Sequence, residues 1–324
     1  MTTASLTSPE LDRTRACAEL FRALGAMSEP PGEAQLRLAD LLGLPRPSGE
    51  QWTTAFVVQL VPHASIYLGA EGMLGGEAAD RVAGFWRALR MPIPSDADHV
   101  AALLGLYAAL ADAECDQPAG PRWTMHRQAR TALLHEHLAS WLPTYAWAIA
   151  SSGPAPYAAW GRLLHDALRA EMALLGQPDR MPAHLREVAP VTSDTLDELL
   201  VGLLTPARSG VIITRTNLAT VARSTGLGLR LSDRRRVLRS IIEQDAVAAL
   251  AELEELARAW LARHLADEPA FGPATRHWAA RAAATADLLA QARRDVPAHR
   301  EPRPTESHEM EERNDLRTAH PGRA

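Results

Sequence analysis

Apolar residues recur at helical spacing through most of this chain. In residues 77–89, Val82, Phe85, Trp86 and Leu89 fall on one face at intervals of three and four. Residues 8–25 do the same with Ala16, Leu20, Ala23 and Leu24, and Ser8-Pro9-Glu10 supplies a cap residue and a proline at the first helical position. Shorter helices are predicted over 33–42 and 50–60, set off by Pro and Gly. Gly75-Gly76 opens the 77–89 helix and Met91-Pro-Ile-Pro94 closes it. Two more helices follow, over 96–113 and 122–150. The second should bend or break near Pro143, whose ring removes an amide and crowds the preceding turn. Residues 155–175 form a further helix between Ser-Ser-Gly-Pro and Gly176. All of this reads as one helical bundle with short connections.

A second section begins near Pro190. Thr192-Ser193-Asp194 is placed to cap a helix over 195–204, and Val211-Ile-Ile-Thr214 is the one notable β-branched run. Short helices are predicted over 217–224 and 232–242. A long one over 246–266 sets Leu250, Leu253, Leu256, Trp260 and Leu261 roughly along one side, and a last helix covers 273–292. Residues 291–324 hold seven arginines, seven acids and several prolines but few apolar groups, so they cannot bury enough surface to offset ordering entropy. The expected organisation is a disordered N-terminus at 1–8, a helical domain at 9–188, an additional helical region at 189–292 and a disordered charged tail at 293–324.

Composition reinforces the all-α reading. Of 324 residues, 47% are hydrophobic and 23% charged, with aromatics at only 5%. Alanine and leucine dominate, which favours helix over sheet. Cys17 and Cys115 are too few for a disulfide framework or a metal knuckle, and Cys17 falls on an apolar helix face as a packed thiol. All 34 basic side chains are arginine, which excludes a phosphate-loop lysine, a Schiff-base lysine and a Ser-Lys pair. No leader-like or membrane-spanning stretch is visible, so a cytoplasmic location is expected.

Charge is unevenly spread. Residues 71–116 hold eight acids (Glu71, Glu77, Asp80, Asp96, Asp98, Asp112, Glu114 and Asp116) against three arginines, whereas 207–240 hold eight arginines against Asp233 alone. An acidic surface around Asp98 would attract an arginine-rich peptide by Coulomb steering and charge-assisted hydrogen bonds. Solvated helix faces would give the same counts.

Two short signatures stand out. Pro94-Ser-Asp-Ala-Asp98-His99 opens an Ala/Leu-rich helix, and His137-Leu-Ala-Ser-Trp141-Leu-Pro143 begins 38 positions after His99. In the first, Ser95-Asp-Ala-Asp98 has capping-box form, so Asp96 or Asp98 can serve a helix start. In the second, His137 and Trp141 are one turn apart and share a face. Trp141 can be a core anchor with Pro143 setting a bend; alternatively Trp141, Tyr145 and Leu138 line a groove for an apolar client segment. His135-Glu136-His137 is a poor metal set because residues two apart on a helix diverge. Neither a metal nor a cofactor is expected, and no hydrolase elbow, phosphate loop or cysteine cluster is present.

In their order and all-α setting, these signatures resemble the Asp-His and His-Leu-x-x-Trp-x-Pro motifs of the TorD/DmsD/NarJ family of molybdoenzyme maturation chaperones. The resemblance spans about 10–185 and includes the Gly72-to-Trp86 segment; Ser95-Asp-Ala stands where the family commonly has Glu-Pro-x. It implies a non-enzymatic helical bundle that binds the twin-arginine signal peptide or apo form of a molybdopterin oxidoreductase before export. It further implies client contacts at Asp96, Asp98, His99, His137, Leu138, Trp141 and Tyr145, with Pro143 and Trp86 as structural motif residues, and a monomer or domain-swapped dimer. The rival from another class is a helix-turn-helix regulator using the arginine-rich 207–240 segment, with Gly226-Leu-Gly-Leu-Arg230 as the turn. A helical enzyme with His63, His99 or His137 as base is a third possibility.

Overall fold

The protein is described from a computed structural model that defines residues 8–226 and 233–296. Every regular element among them is helical. The first run comprises α1 (Ser8–Met27), α2 (Glu33–Leu41), α3 (Gly49–Trp52), α4 (Ala64–Leu68), α5 (Gly76–Ala88), α6 (Val100–Cys115), α7 (Pro121–Ala132), α8 (Leu142–Ser152) and α9 (Ala155–Leu175). The second comprises α10 (Ala183–Arg186), α11 (Leu196–Leu204), α12 (Pro206–Ser209), α13 (Arg215–Ser224), α14 (Arg234–Gln244), α15 (Ala246–Phe271) and α16 (Pro273–Asp295). Two π-helical segments, Thr53–Gln59 and Leu133–Leu138, continue α3 and α7. The all-α expectation holds.

Local departures have local causes. The helix expected over 122–150 breaks at Ala139–Trp141, and Pro143 takes the second position of α8, where its missing amide costs nothing. The helix expected from residue 96 begins at Val100, because residues 96–99 form a turn closed by the His99 amide on the Asp96 carbonyl at 3.0 Å. In α11 the cap is Thr195, whose hydroxyl accepts the Glu198 amide at 3.2 Å, rather than Thr192-Ser193-Asp194. Short α4, α10 and α12 were not foreseen; four or five residues are too few to show a period. The helix expected to end at 292 reaches Asp295. The expected disordered termini at 1–8 and 293–324 fall, but for Ser8 and residues 293–296, outside the described residues, as does the Leu227–Arg230 part of the proposed turn.

One continuous hydrophobic cluster runs from Phe21 in α1 to Leu289 in α16, so the section beyond 190 has no separate core. Its middle is aromatic. Phe56 meets Tyr157 edge-on at 4.7 Å and Trp160 at 5.5 Å, and Tyr67 stacks on Trp141 at 5.2 Å. Their polar atoms tie off carbonyls at helix ends: Trp160 Nε1 donates to the Leu24 carbonyl at 2.9 Å and Tyr145 Oη to Leu60 at 3.1 Å. Across α6, α7 and α9, Arg130 is fully buried between Glu114 (2.8 Å) and Glu171 (2.9 Å), with the Tyr107 hydroxyl also on Glu171. Buried charges survive only when paired in this way.

The second section is locked on by similar means. Trp260 packs edge-on to Trp147 at 4.5 Å, Trp278 Nε1 donates to the Ser140 carbonyl at 2.8 Å, and His165 Nε2 meets the Asp267 carboxylate at 3.0 Å. Gly210 closes α12 in the left-handed region, φ +71°, against the α16 backbone; a Cβ there would lie 2.6 Å from the Trp278 carbonyl oxygen. Only glycine fits both constraints.

Candidate functional site

The Pro94-to-His99 turn lies against the segment leading into α4. The two run antiparallel at His63 and His99, with the Val100 amide on the Pro62 carbonyl at 2.9 Å and the Ala64 amide on the Asp98 carbonyl at 3.0 Å. Asp98 is buried, and its Oδ2 accepts the Ser65 amide at 2.9 Å. That amide is a free donor in the first turn of α4, so Asp98 caps a helix distant in sequence instead of its own. His99 caps α6: its Nδ1 accepts the Ala101 amide at 3.0 Å. The capping expected of Asp96 or Asp98 therefore falls to the histidine. Trp86 supports the turn, donating weakly from Nε1 to the Ala97 carbonyl at 3.4 Å.

Capping requires His99 to be neutral. Burial, then the neighbouring His63, push its pKa down to about 4. The two rings meet edge-to-face at 4.8 Å. His63 Nε2 lies 3.8 Å from exposed Asp96, while its Nδ1 is buried with no partner among the described residues. With its Nδ1 lone pair engaged, neutral His99 carries its proton on Nε2 and cannot itself act as a base.

Beside these rings opens a cleft of about 480 Å3, lined by Ser28, Glu29 and Trp52 from one side and His63, Asp96 and His99 from the other. Glu29 and Asp96 are exposed carboxylates, with no arginine paired to either among the described residues. Trp52 is held by its Nε1 on the Ser28 carbonyl at 3.0 Å. Carboxylates beside aromatic faces form a receptor for a guanidinium group, which can bond in the plane and stack on the ring. Sequence reading missed Glu29 and Trp52 and considered His63 only as a base. Nothing in their local pattern joins them to Asp96.

The second signature is placed elsewhere. Leu138, Trp141 and Tyr145 are 0% exposed. They line no open groove among the described residues: Tyr67 stacks on Trp141 and meets Tyr145 edge-on, and Trp160 packs against Tyr145. Trp141 Nε1 donates to the His137 carbonyl at 2.8 Å and Pro143 is buried, so both serve the core. His137 is buried against Phe85, ring centroids 4.9 Å apart, and burial, then Arg81, lower its pKa to about 4. His135 points away, to the Gly176 carbonyl at 2.9 Å, which separates the two imidazoles of His135-Glu136-His137.

The acidic stretch is also less of a surface than its composition suggested. Glu114 and Asp98 are buried, Asp112 binds Arg22, and Asp116 and Glu77 lie near Arg15 and Arg81. Glu71, Asp80 and Asp96 remain exposed, with no arginine ion pair among the described residues. In the basic stretch, Arg235 and Arg239 converge on Asp197 of α11.

No curated protein matches the chain. Residues 48–146, under a third of the sequence, match the family described as nitrate reductase delta subunit. This segment holds both signatures and every residue of the cleft except Ser28, Glu29 and Pro30, just after α1. Over residues 48–146 the chain is thus similar to the nitrate reductase delta subunit family, a family of molybdoenzyme maturation chaperones.

Proposed function

We propose that this protein is a cytoplasmic, non-catalytic chaperone for the catalytic subunit of a molybdopterin-containing oxidoreductase. We further propose that the cleft beside His63 and His99 takes an arginine-bearing segment of that client. The twin-arginine signal peptide is the client segment with the right chemistry: basic residues for Glu29 and Asp96, then an apolar stretch. The carrying observation is the cleft itself, with two exposed carboxylates, Trp52 and two imidazole edges converging from four parts of the chain. The family match over residues 48–146 supports the same class of partner. No helix among the described residues is long and apolar enough to cross a membrane.

Among the residues singled out from the sequence, Asp96 and His99 are the direct contacts in this reading. Asp98 holds the turn that presents them. His137, Leu138, Trp141 and Tyr145 contribute only by supporting the bundle beneath, and they would meet a client only if that bundle opened.

The test is titration of a fluorescently labelled twin-arginine peptide into the full-length protein at low salt. Asp96→Asn with Glu29→Gln removes two charge-assisted contacts. Even at the modest strength of exposed pairs, about 0.5–1 kcal/mol each, affinity should fall roughly fivefold to thirtyfold. An unchanged affinity in a folded double variant would sink the assignment of the cleft. Failure of the wild-type protein to bind both that peptide and the apo-subunit would sink the chaperone reading.

A further inference from the structure

A second, smaller cavity of about 120 Å3 opens between the end of the Thr53–Gln59 π-segment and the strap connecting α11 to α13. One wall is Val57, Val58 and Tyr67; the other includes Ile213, Arg215 and Arg234. The first wall belongs to the family-matched segment and the second to the section beyond residue 190. The space is enough for one aliphatic or methionine side chain.

Its lining and surroundings give this cavity a chemistry. Val57 and Val58 are 55% and 39% exposed at its edge, an apolar rim that water does not favour. Arg234 lines it, and among the described residues no carboxylate does. The nearby Asp233 is engaged in capping α14, accepting the amides of Arg235 and Arg236 at 3.1 and 3.3 Å. Arg234 is steadied over the cavity by a long contact, 3.4 Å, from Nη1 to the Ile213 carbonyl. Gln59 Oε1 accepts the Thr216 amide at 3.3 Å, so the two walls are tied together at the rim. The exposed valines sit on a π-helical segment, a local geometry often found at functional positions.

We propose that this pocket is a second client-contact site, built jointly by the chaperone core and its C-terminal extension, that takes an apolar side chain flanked by carboxylates. It rests on the reading that the protein handles another polypeptide, but it concerns ligands of the opposite charge to those of the Asp96 cleft. An acidic-apolar segment satisfies both features of the lining: the side chain covers Val57 and Val58 and fills the cavity, while a neighbouring carboxylate meets Arg234. A basic segment would be repelled here.

The probe is a fluorescein-labelled peptide, acetyl-Gly-Asp-Glu-Leu-Glu-Asp-Gly, titrated into the full chain at low salt and read by anisotropy. Replacing its Leu by Ser should weaken binding about tenfold or more, the cost of an unfilled apolar pocket. Arg234→Glu should weaken it by at least a similar factor, and Val58→Glu, at an exposed position that folding tolerates, should do so independently. Added salt should lower affinity. Equal binding of the Leu and Ser peptides would overturn the proposal, since charge alone would then account for it. So would full affinity in a folded Val58→Glu, or no peptide binding alongside capture of a random DNA duplex that Arg234→Glu abolishes, which would make the face a nucleic-acid surface. A twin-arginine peptide measured in parallel separates this site from the Asp96 cleft, because the Arg234 and Val58 variants should leave that affinity unchanged.

Discussion

Replacing Asp98 by alanine tests the structural role of the first signature. The carboxylate is 5% exposed and accepts the Ser65 amide at 2.9 Å, while its backbone carbonyl accepts the amide of Ala64. Alanine keeps the backbone bond and removes the side-chain acceptor. The Ser65 amide, buried in the first turn of α4, then loses its partner. A hydrogen bond to a charged group contributes about 1.5–3 kcal/mol, and an orphaned buried donor costs about 1–3 kcal/mol; these are two descriptions of one loss, so about 2–3 kcal/mol is expected. At roughly 2 °C per kcal/mol for a large domain, Tm should fall by about 4–6 °C. Asp98→Asn keeps an oxygen acceptor in place and should lose less than half as much. The measurement is thermal unfolding by circular dichroism at neutral pH, with helix content and twin-arginine peptide affinity recorded on the same samples. Peptide affinity should fall for Asp98→Ala, because the turn carrying Asp96 and His99 is released, and should be largely kept in Asp98→Asn. A Tm within 1 °C of wild type for Asp98→Ala, or equal losses of stability and affinity in both variants, would refute this reasoning and point to direct client contact by the carboxylate.

Trp141→Ala removes a fully buried indole stacked on Tyr67 and should cost about 3–5 kcal/mol, read by denaturant unfolding, with Trp141→Phe recovering about half. Arg130→Ala leaves Glu114 and Glu171 buried without their shared cation and should cost a similar 3–5 kcal/mol, whereas Arg130→Met with Glu171→Gln should be milder than the single change. Burial first, with neighbouring charges, lowers the pKa of His99, His137, His184, His264 and His277 to about 4 each. The unfolded chain therefore takes up these protons before the folded one does, so their contribution is intact above pH 6.5 and is lost as pH falls toward 4. Each histidine gives up at most about 1.4 kcal/mol per pH unit. Unfolding midpoints measured from pH 7.5 to 4.5 should drop steeply below 6.5, and a flat profile would contradict the burial. Gly210→Ala forces a left-handed residue onto the α16 backbone and should lower Tm by several degrees more than Gly84→Ala, where a Cβ meets open space.

The sequence by itself determined the helical class, the proline- and glycine-set boundaries and the family signatures, because each is written in neighbours three or four residues apart. Helix α9 begins and ends where its flanking proline and glycine place it, and α5 follows its Val82, Phe85 and Trp86 stripe. Only the tertiary structure decided what each singled-out residue does. Asp98 looks like a local cap but serves α4, more than thirty residues earlier. Trp141 and Tyr145 have the amphipathic spacing of a groove, yet both faces of their helix are covered, and periodicity cannot say what lies opposite an apolar face. Glu29, Trp52, His63 and Asp96 carry no shared local pattern and form one cleft only because the chain just after α1, α3, the segment before α4 and the turn before α6 meet. The arginine-rich section likewise has one meaning as a string of charges and another once Asp197 has taken two of its arginines and Ile213 has set a third over a cavity. Local propensity acts over a few bonds, whereas a site depends on surfaces brought together by burial of a common core, and that information lies in the packing.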